Sequence, residues 1–152
     1  MRIRAFVFSL MLAASSVAVL ATHHSFAAYF DSQKPFSVSG TIVKVDWVNP
    51  AVFVHIRVED KATGQTETWA FEGEGVSAMR SRGLDGSMFK EGEPLTAIGF
   101  MGRPGTNLSE TVADPELAAR VRAEKAASIA QFEFADGRRF PVIANVPQPL
   151  PR

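Results

Sequence analysis

Between Ala51 and Glu59 the chain alternates strictly: Val52, Val54, Ile56 and Val58 fall on one side, and Phe53, His55, Arg57 and Glu59 on the other. Successive side chains of an extended strand point to opposite faces, so this period of two specifies a β-strand whose valine face is buried. One strand cannot bury that face alone, and the flanking sequence supplies partners. Phe36 to Val48 is rich in Val, Ile and Thr and is broken by Asn49-Pro50, a turn-forming pair. Thr66 to Glu72 alternates Thr with Glu67, Trp69 and Phe71 after a polar turn at Asp60 to Gln65. Connections this short make the three strands an antiparallel meander.

The remaining elements follow from local chemistry. Gly75 to Arg82 reads as a short helix with Val76 and Met79 inward, stopped by Gly83. A turn at Lys90 to Glu93 leads into a fourth strand, Pro94 to Met101. Asp114-Pro115-Glu116 is a helix start with a side-chain cap, Pro at the first position and an early acid, and Glu116 and Arg120 stand in the favourable i, i+4 order. Its Ala-rich continuation predicts a surface helix over 114–128, an insertion with a thin apolar stripe at Leu117 and Val121. Asp136-Gly137 joins Ile129 to Phe134 and Arg139 to Ala144 as a hairpin. The expected fold is mainly β: a small OB-like barrel of five or six antiparallel strands over 36–146, with a half-open β-sandwich as the alternative. A Pro-rich tail fills 147–152.

The front of the chain carries a different signal. Arg2 and Arg4 precede an uncharged apolar run from Ala5 to Leu20 that ends in small residues, the pattern of a secretory leader. The run is shorter than the roughly 20 residues that span a bilayer, which favours cleavage over a permanent anchor. The expected leader is 1–21, cut after Val19-Leu20-Ala21, with an N-terminal segment over 22–35 before the barrel. A cut after Ala27 is a second option. The implied location is periplasmic or secreted, with no stable membrane insertion after the leader is removed.

Composition narrows the chemistry. Cysteine is absent, which excludes disulfides, thiolate metal sites and a cysteine nucleophile. Loss of Arg2 and Arg4 with the leader leaves slightly more acidic than basic residues, so nothing marks a nucleic-acid partner. There is no His-Glu-x-x-His, no Gly-x-Ser-x-Gly and no phosphate-binding loop. The carboxylate pairs Glu72/Glu74 and Glu91/Glu93 lie in turn-like segments that suit solvated charge.

Two groups remain as candidate sites. His23 and His24 directly follow the expected cut, so a mature terminus Thr22-His23-His24 would offer an amine, two amide nitrogens and an imidazole to one ion, a donor set suited to copper or nickel. The plainer alternative is a frayed terminus. The aromatic set Trp47, Phe53, His55 and Trp69 could form a ligand-binding face on the barrel, although core packing also accounts for its aromatics, and a lone strand histidine is commonly a packing residue.

The stretches His23-His24-Ser25-Phe26-Ala27-Ala28-Tyr29-Phe30-Asp31, Lys34-Pro35, Gly40-Thr41, Lys44-Val45-Asp46-Trp47-Val48-Asn49-Pro50 and Trp69-Ala70-Phe71-Glu72 together resemble a family of small exported bacterial proteins known only as a domain of unknown function. Mature chains of that family open with His-His-Ser-Phe. The likeness covers most of 23–102, and the Asp136-Gly137-Arg138 hairpin is in keeping with it. It implies a periplasmic or secreted β-barrel and no established activity. The family pattern carries His after Asn-Pro where this chain has Ala51, so a metal site shared with that position would lack a ligand here. The stretch from Asp114 to Ser128 is longer than the family's usual connection.

The reading these features favour is an exported non-catalytic binding or structural module whose partner is a small ligand or a periplasmic protein. A copper- or nickel-binding protein is the alternative. A hydrolase is a third possibility, because a Ser, His and Asp brought together by folding leave no linear trace.

Overall fold

The computed structural model describes residues 26–147. The expected leader, the Thr22-His23-His24 terminus and the tail beyond Pro147 lie outside the described residues.

The valine face behaves as its alternation dictates. Strand β2 (Phe53–Glu59) places Val54 and Ile56 in the main core, with Val52 just ahead of it, all at most 1% exposed. β2 pairs antiparallel with β1 (Phe30–Asp46) and with β3 (Thr66–Glu72), forming the meander. A four-residue helix, α1 (Phe26–Tyr29), precedes β1, which begins six residues earlier than its β-branched pattern suggested because Phe30 and Pro35–Thr41 pair with β4 (Pro94–Gly102). Helix α2 (Val76–Ser81) lies between β3 and β4, buries Met79, and is followed by Gly83 at φ +83°, the left-handed conformation that ends helices.

The sheet runs β3-β2-β1-β4-β5-β6, and β3 also pairs with β5 (Lys125–Phe134), so five strands close into a barrel and β6 (Arg139–Pro141) hangs on β5 as a hairpin partner. The half-open sandwich is thereby excluded. The closing pair is parallel, with Trp69 opposite Lys125 and Glu72 opposite Ser128, so the OB-like barrel is mixed where an all-antiparallel one was expected. The reason is parity: five strands that alternate in direction around a ring leave one neighbouring pair pointing the same way.

Helix α3 (Pro115–Ala123) starts where the cap predicts, the Asp114 carboxylate accepting from Leu117 N at 2.8 Å, but it ends five residues before the expected Ser128. Lys125 to Ser128 are strand, because pairing with β3 outweighs the helix propensity of Ala126 and Ala127. Nor does the helix lie loosely on the surface. Its thin stripe, Leu117 and Val121, is at most 4% exposed and packs with Phe30, Phe53, Ala70, Phe100, Leu108 and Ala130 into a second apolar cluster on the outer face of the barrel. Both faces of β2 are therefore covered, one by the barrel interior and the other by α3.

Candidate functional site

A β-bulge sets up the site. The β1–β2 register slips between Ile42 and Lys44, so that Lys44 faces His55, Val45 faces Val54 and Asp46 faces Phe53. Strict alternation from the buried Ile42 would turn Lys44 and Asp46 inward, whereas the extra residue flips the phase and aims both at α3.

Under α3 these residues build one polar chain. His55 is fully buried. Its Nε2 lies 2.9 Å from Asp46 Oδ2 and its Nδ1 lies 2.5 Å from Glu124 Oε2. Arg120, on α3, donates from Nη1 to the same Asp46 oxygen at 2.5 Å, and Lys44 Nζ stands 3.6 Å from the other one. Both ring nitrogens are thus engaged with carboxylate oxygens, and neither is left free for a substrate or a metal. Among the described residues, no cluster of three His, Cys, Asp or Glu side chains is arranged to hold a metal ion.

Two clefts flank this chain. The first, about 480 Å³, lies between the β1–β2 turn and α3, with Lys44, Asp46, Val48, Phe53, Glu116 and Arg120 on its walls. The second, about 660 Å³, lies at the β3–β5 seam and is lined by Glu67, Trp69, Arg103, Glu124 and Lys125 among others. In the second cleft every charged group is already engaged. Glu67 accepts from Trp69 Nε1 at 2.7 Å and pairs with Lys125, whose ammonium also sits 5.3 Å from the Trp69 ring centre, while Arg103 Nε donates to Ala27 O at 2.8 Å.

The four residues expected to form one binding face are dispersed. Trp69 is 5% exposed, points into the barrel and reaches only the rim of the second cleft. Phe53 is 2% exposed and forms the floor of the first. His55 belongs to the buried polar chain, and Trp47 packs on the main core beside Phe89. Strand alternation separates them: Phe53 and His55 take the outer face of β2, while Trp69 takes the inner face of β3.

Residues unremarkable in the sequence matter more. Arg120 and Glu124 reach the site only because α3 folds back over β2. Glu72, read as solvated charge, is half-buried at the end of β3 opposite Phe53, with no hydrogen-bond or ion-pair partner among the described residues, and burial pushes its pKa up to about 7. Its neighbour Glu74 behaves as expected and pairs with Arg82 at 2.6 Å.

Fold and site together define a small OB-like β-barrel whose outer sheet face is covered by a helix from its own β4–β5 connection. The chain belongs to a family of unknown function (DUF6152), whose sequence profile matches residues 10–110. That match spans β1 to β4 and stops short of α3. No curated protein and no solved structure matches the chain.

Proposed function

We propose that this protein is an exported, periplasmic or secreted, non-catalytic binding module that holds a small ligand in the cleft between the β1–β2 turn and α3. The position of that cleft carries the reading. By analogy of fold, OB barrels bind through the loops joining strands 1–2 and 4–5, and this cleft opens between those same two connections. Its volume of about 480 Å³ lies in the range of small-molecule sites, and Phe53 and Leu117 give it an apolar floor beside a few charged groups. Export is supported by Arg2, Arg4 and the apolar run to Leu20. The non-catalytic part is supported by His55, whose two nitrogens are both taken.

The test is a screen of small molecules by amide chemical-shift perturbation on isotope-labelled protein. Hits should move Val48, Ala51, Phe53, Val112 and Arg120 together. A screen in which every hit maps elsewhere overturns the cleft reading. N-terminal sequencing of protein from the periplasmic fraction tests export, and intact precursor confined to soluble cytosol would refute it.

A second reading rests on His23-His24 next to the expected cut. Protein with a native Thr22 terminus should take up one Cu(II) with a visible d–d band, abolished by His24→Ala. No uptake ends that reading.

A further inference from the structure

We infer that the ligand of the β1–β2/α3 cleft is a small zwitterion with an apolar body, of the free α-amino acid type; this deepens the cleft reading above and rests on it. The inference comes from which charges in the cleft are already satisfied. Of the three carboxylates lining it, Asp46 accepts from His55 and Arg120 and is flanked by Lys44, and Asp114 caps α3 through Leu117 N. Glu116 is exposed and has no partner among the described residues. Its natural helix partner, Arg120 at i+4, has turned away to Asp46 and uses only Nη1 there. The remaining guanidinium donors of Arg120, and the Lys44 ammonium with its side chain 40% exposed, are the cationic counterpart.

The cleft thus presents one acceptor without a partner among the described residues, Glu116, and two under-used cationic groups, Arg120 one helical turn from Glu116 on the α3 wall and Lys44 on the β1 wall. A simple anion would meet Glu116 as a like charge, and a simple cation would meet Arg120 and Lys44. A molecule carrying a carboxylate and an ammonium a few ångströms apart satisfies both ends. Its apolar body would lie on Phe53 and Leu117 beneath Val48, which is 43% exposed at the mouth. The polar chain Glu124–His55–Asp46 fixes the guanidinium, so this end of the site is set before a ligand arrives.

The experiment titrates the purified protein with four probes that share a phenyl body and differ in charge: L-phenylalanine, N-acetyl-L-phenylalanine, L-phenylalaninamide and N-acetyl-L-phenylalaninamide. L-phenylalanine should bind tightest, with each singly blocked probe weaker by about tenfold and the doubly blocked one weaker still, as loss of a charge-assisted contact requires. Lys44→Gln should weaken L-phenylalanine and the N-acetyl acid, and Glu116→Gln should weaken L-phenylalanine and the amide. Both positions are solvent-accessible, so far-UV circular dichroism should match the parent. Equal affinity for all four probes overturns the zwitterion inference and leaves the cleft reading standing. So does failure of all four while another compound from the screen seats in the cleft. If nothing at all seats there, both fall.

Discussion

His55 Nδ1 and Glu124 Oε2 lie 2.5 Å apart, joining strand β2 to the residue that ends α3 across 69 positions of sequence. With Asp46 on the other ring nitrogen, this contact pins the helix over the barrel face. Replacing His55 by Leu keeps an apolar volume but leaves Glu124, its side chain 10% exposed, without its imidazole partner, and leaves Asp46, 15% exposed, with Arg120 and Lys44 alone. Removing one partner of a buried ionic group typically costs about 3 kcal/mol, because the survivors remain desolvated. His55→Leu should therefore lower the urea midpoint by an equivalent amount with an unchanged slope, and adding Glu124→Gln should recover part of the loss. A His55→Leu protein within about 0.5 kcal/mol of the parent would show that the chain contributes nothing to stability.

Glu72 supplies a pH dependence of definite sign. Burial raises its pKa from an ordinary 4.5 to about 7 in the folded protein. Below the ordinary value the carboxyl is protonated in both states and no difference arises. Between the two values the unfolded chain releases a proton that the folded one keeps, so stability falls as pH rises, and it levels off above pH 7. The full effect is up to about 3 kcal/mol, reduced to the extent that water reaches the half-buried group. Other groups titrate too, so the quantity to measure is the difference between parent and Glu72→Gln. The variant should gain on the parent steadily from pH 4.5 to 7. A constant difference over that range would assign Glu72 an ordinary, solvated carboxyl.

Much of the barrel is legible residue by residue, because its signals are local. The Val52–Val58 alternation, the Gly83 stop, the Asp114 cap and the Asp136-Gly137 turn each act within a few positions, and each stands where the chain predicts. The misread features depend on distant partners. Lys125-Ala126-Ala127-Ser128 has the composition of a helix and becomes strand only because β3 lies alongside it. The outward turn of Lys44 and Asp46 depends on a register slip against β2, and His55 finds its acceptors 9 and 69 positions away. Arg120 is the instructive case, since its i, i+4 relation to Glu116 is plain in the sequence and the fold uses the side chain elsewhere.

Trp47 tests the cost of an orphan donor. Its Nε1 is buried without an acceptor among the described residues, while the ring packs 6.0 Å from Phe89 and covers Gly86. Trp47→Phe gives up some apolar contact and also removes the unmet N–H, and the two effects oppose each other. The variant should stay within about 1 kcal/mol of the parent, whereas Trp47→Ala should lose about 3 kcal/mol. Thermal and urea unfolding of the pair would separate the two contributions. A Trp47→Phe loss as large as that of Trp47→Ala would mean that the indole nitrogen is satisfied in solution.

Gly40 marks the place where β1 passes from its pairing with β4 to its pairing with β2, opposite Leu95 on one side and next to Thr41, which faces Arg57 on the other. A Cβ built there would stand 2.2 Å from the Arg57 carbonyl oxygen and 2.8 Å from Ile56 Cγ2. That oxygen belongs to the β1–β2 ladder, so relief would require the two strands to separate at the point where the barrel turns its corner. Gly40→Ala should consequently cost about 3 kcal/mol or more, at the upper end of overpacking penalties. Gly64→Ala is the control: it has open space around it and only a positive φ of 70° to strain, so it should lose about 1 kcal/mol. Urea denaturation of the two variants should rank them in that order. A Gly40→Ala protein as stable as Gly64→Ala would mean that β1 and β2 do not approach this closely at residue 40.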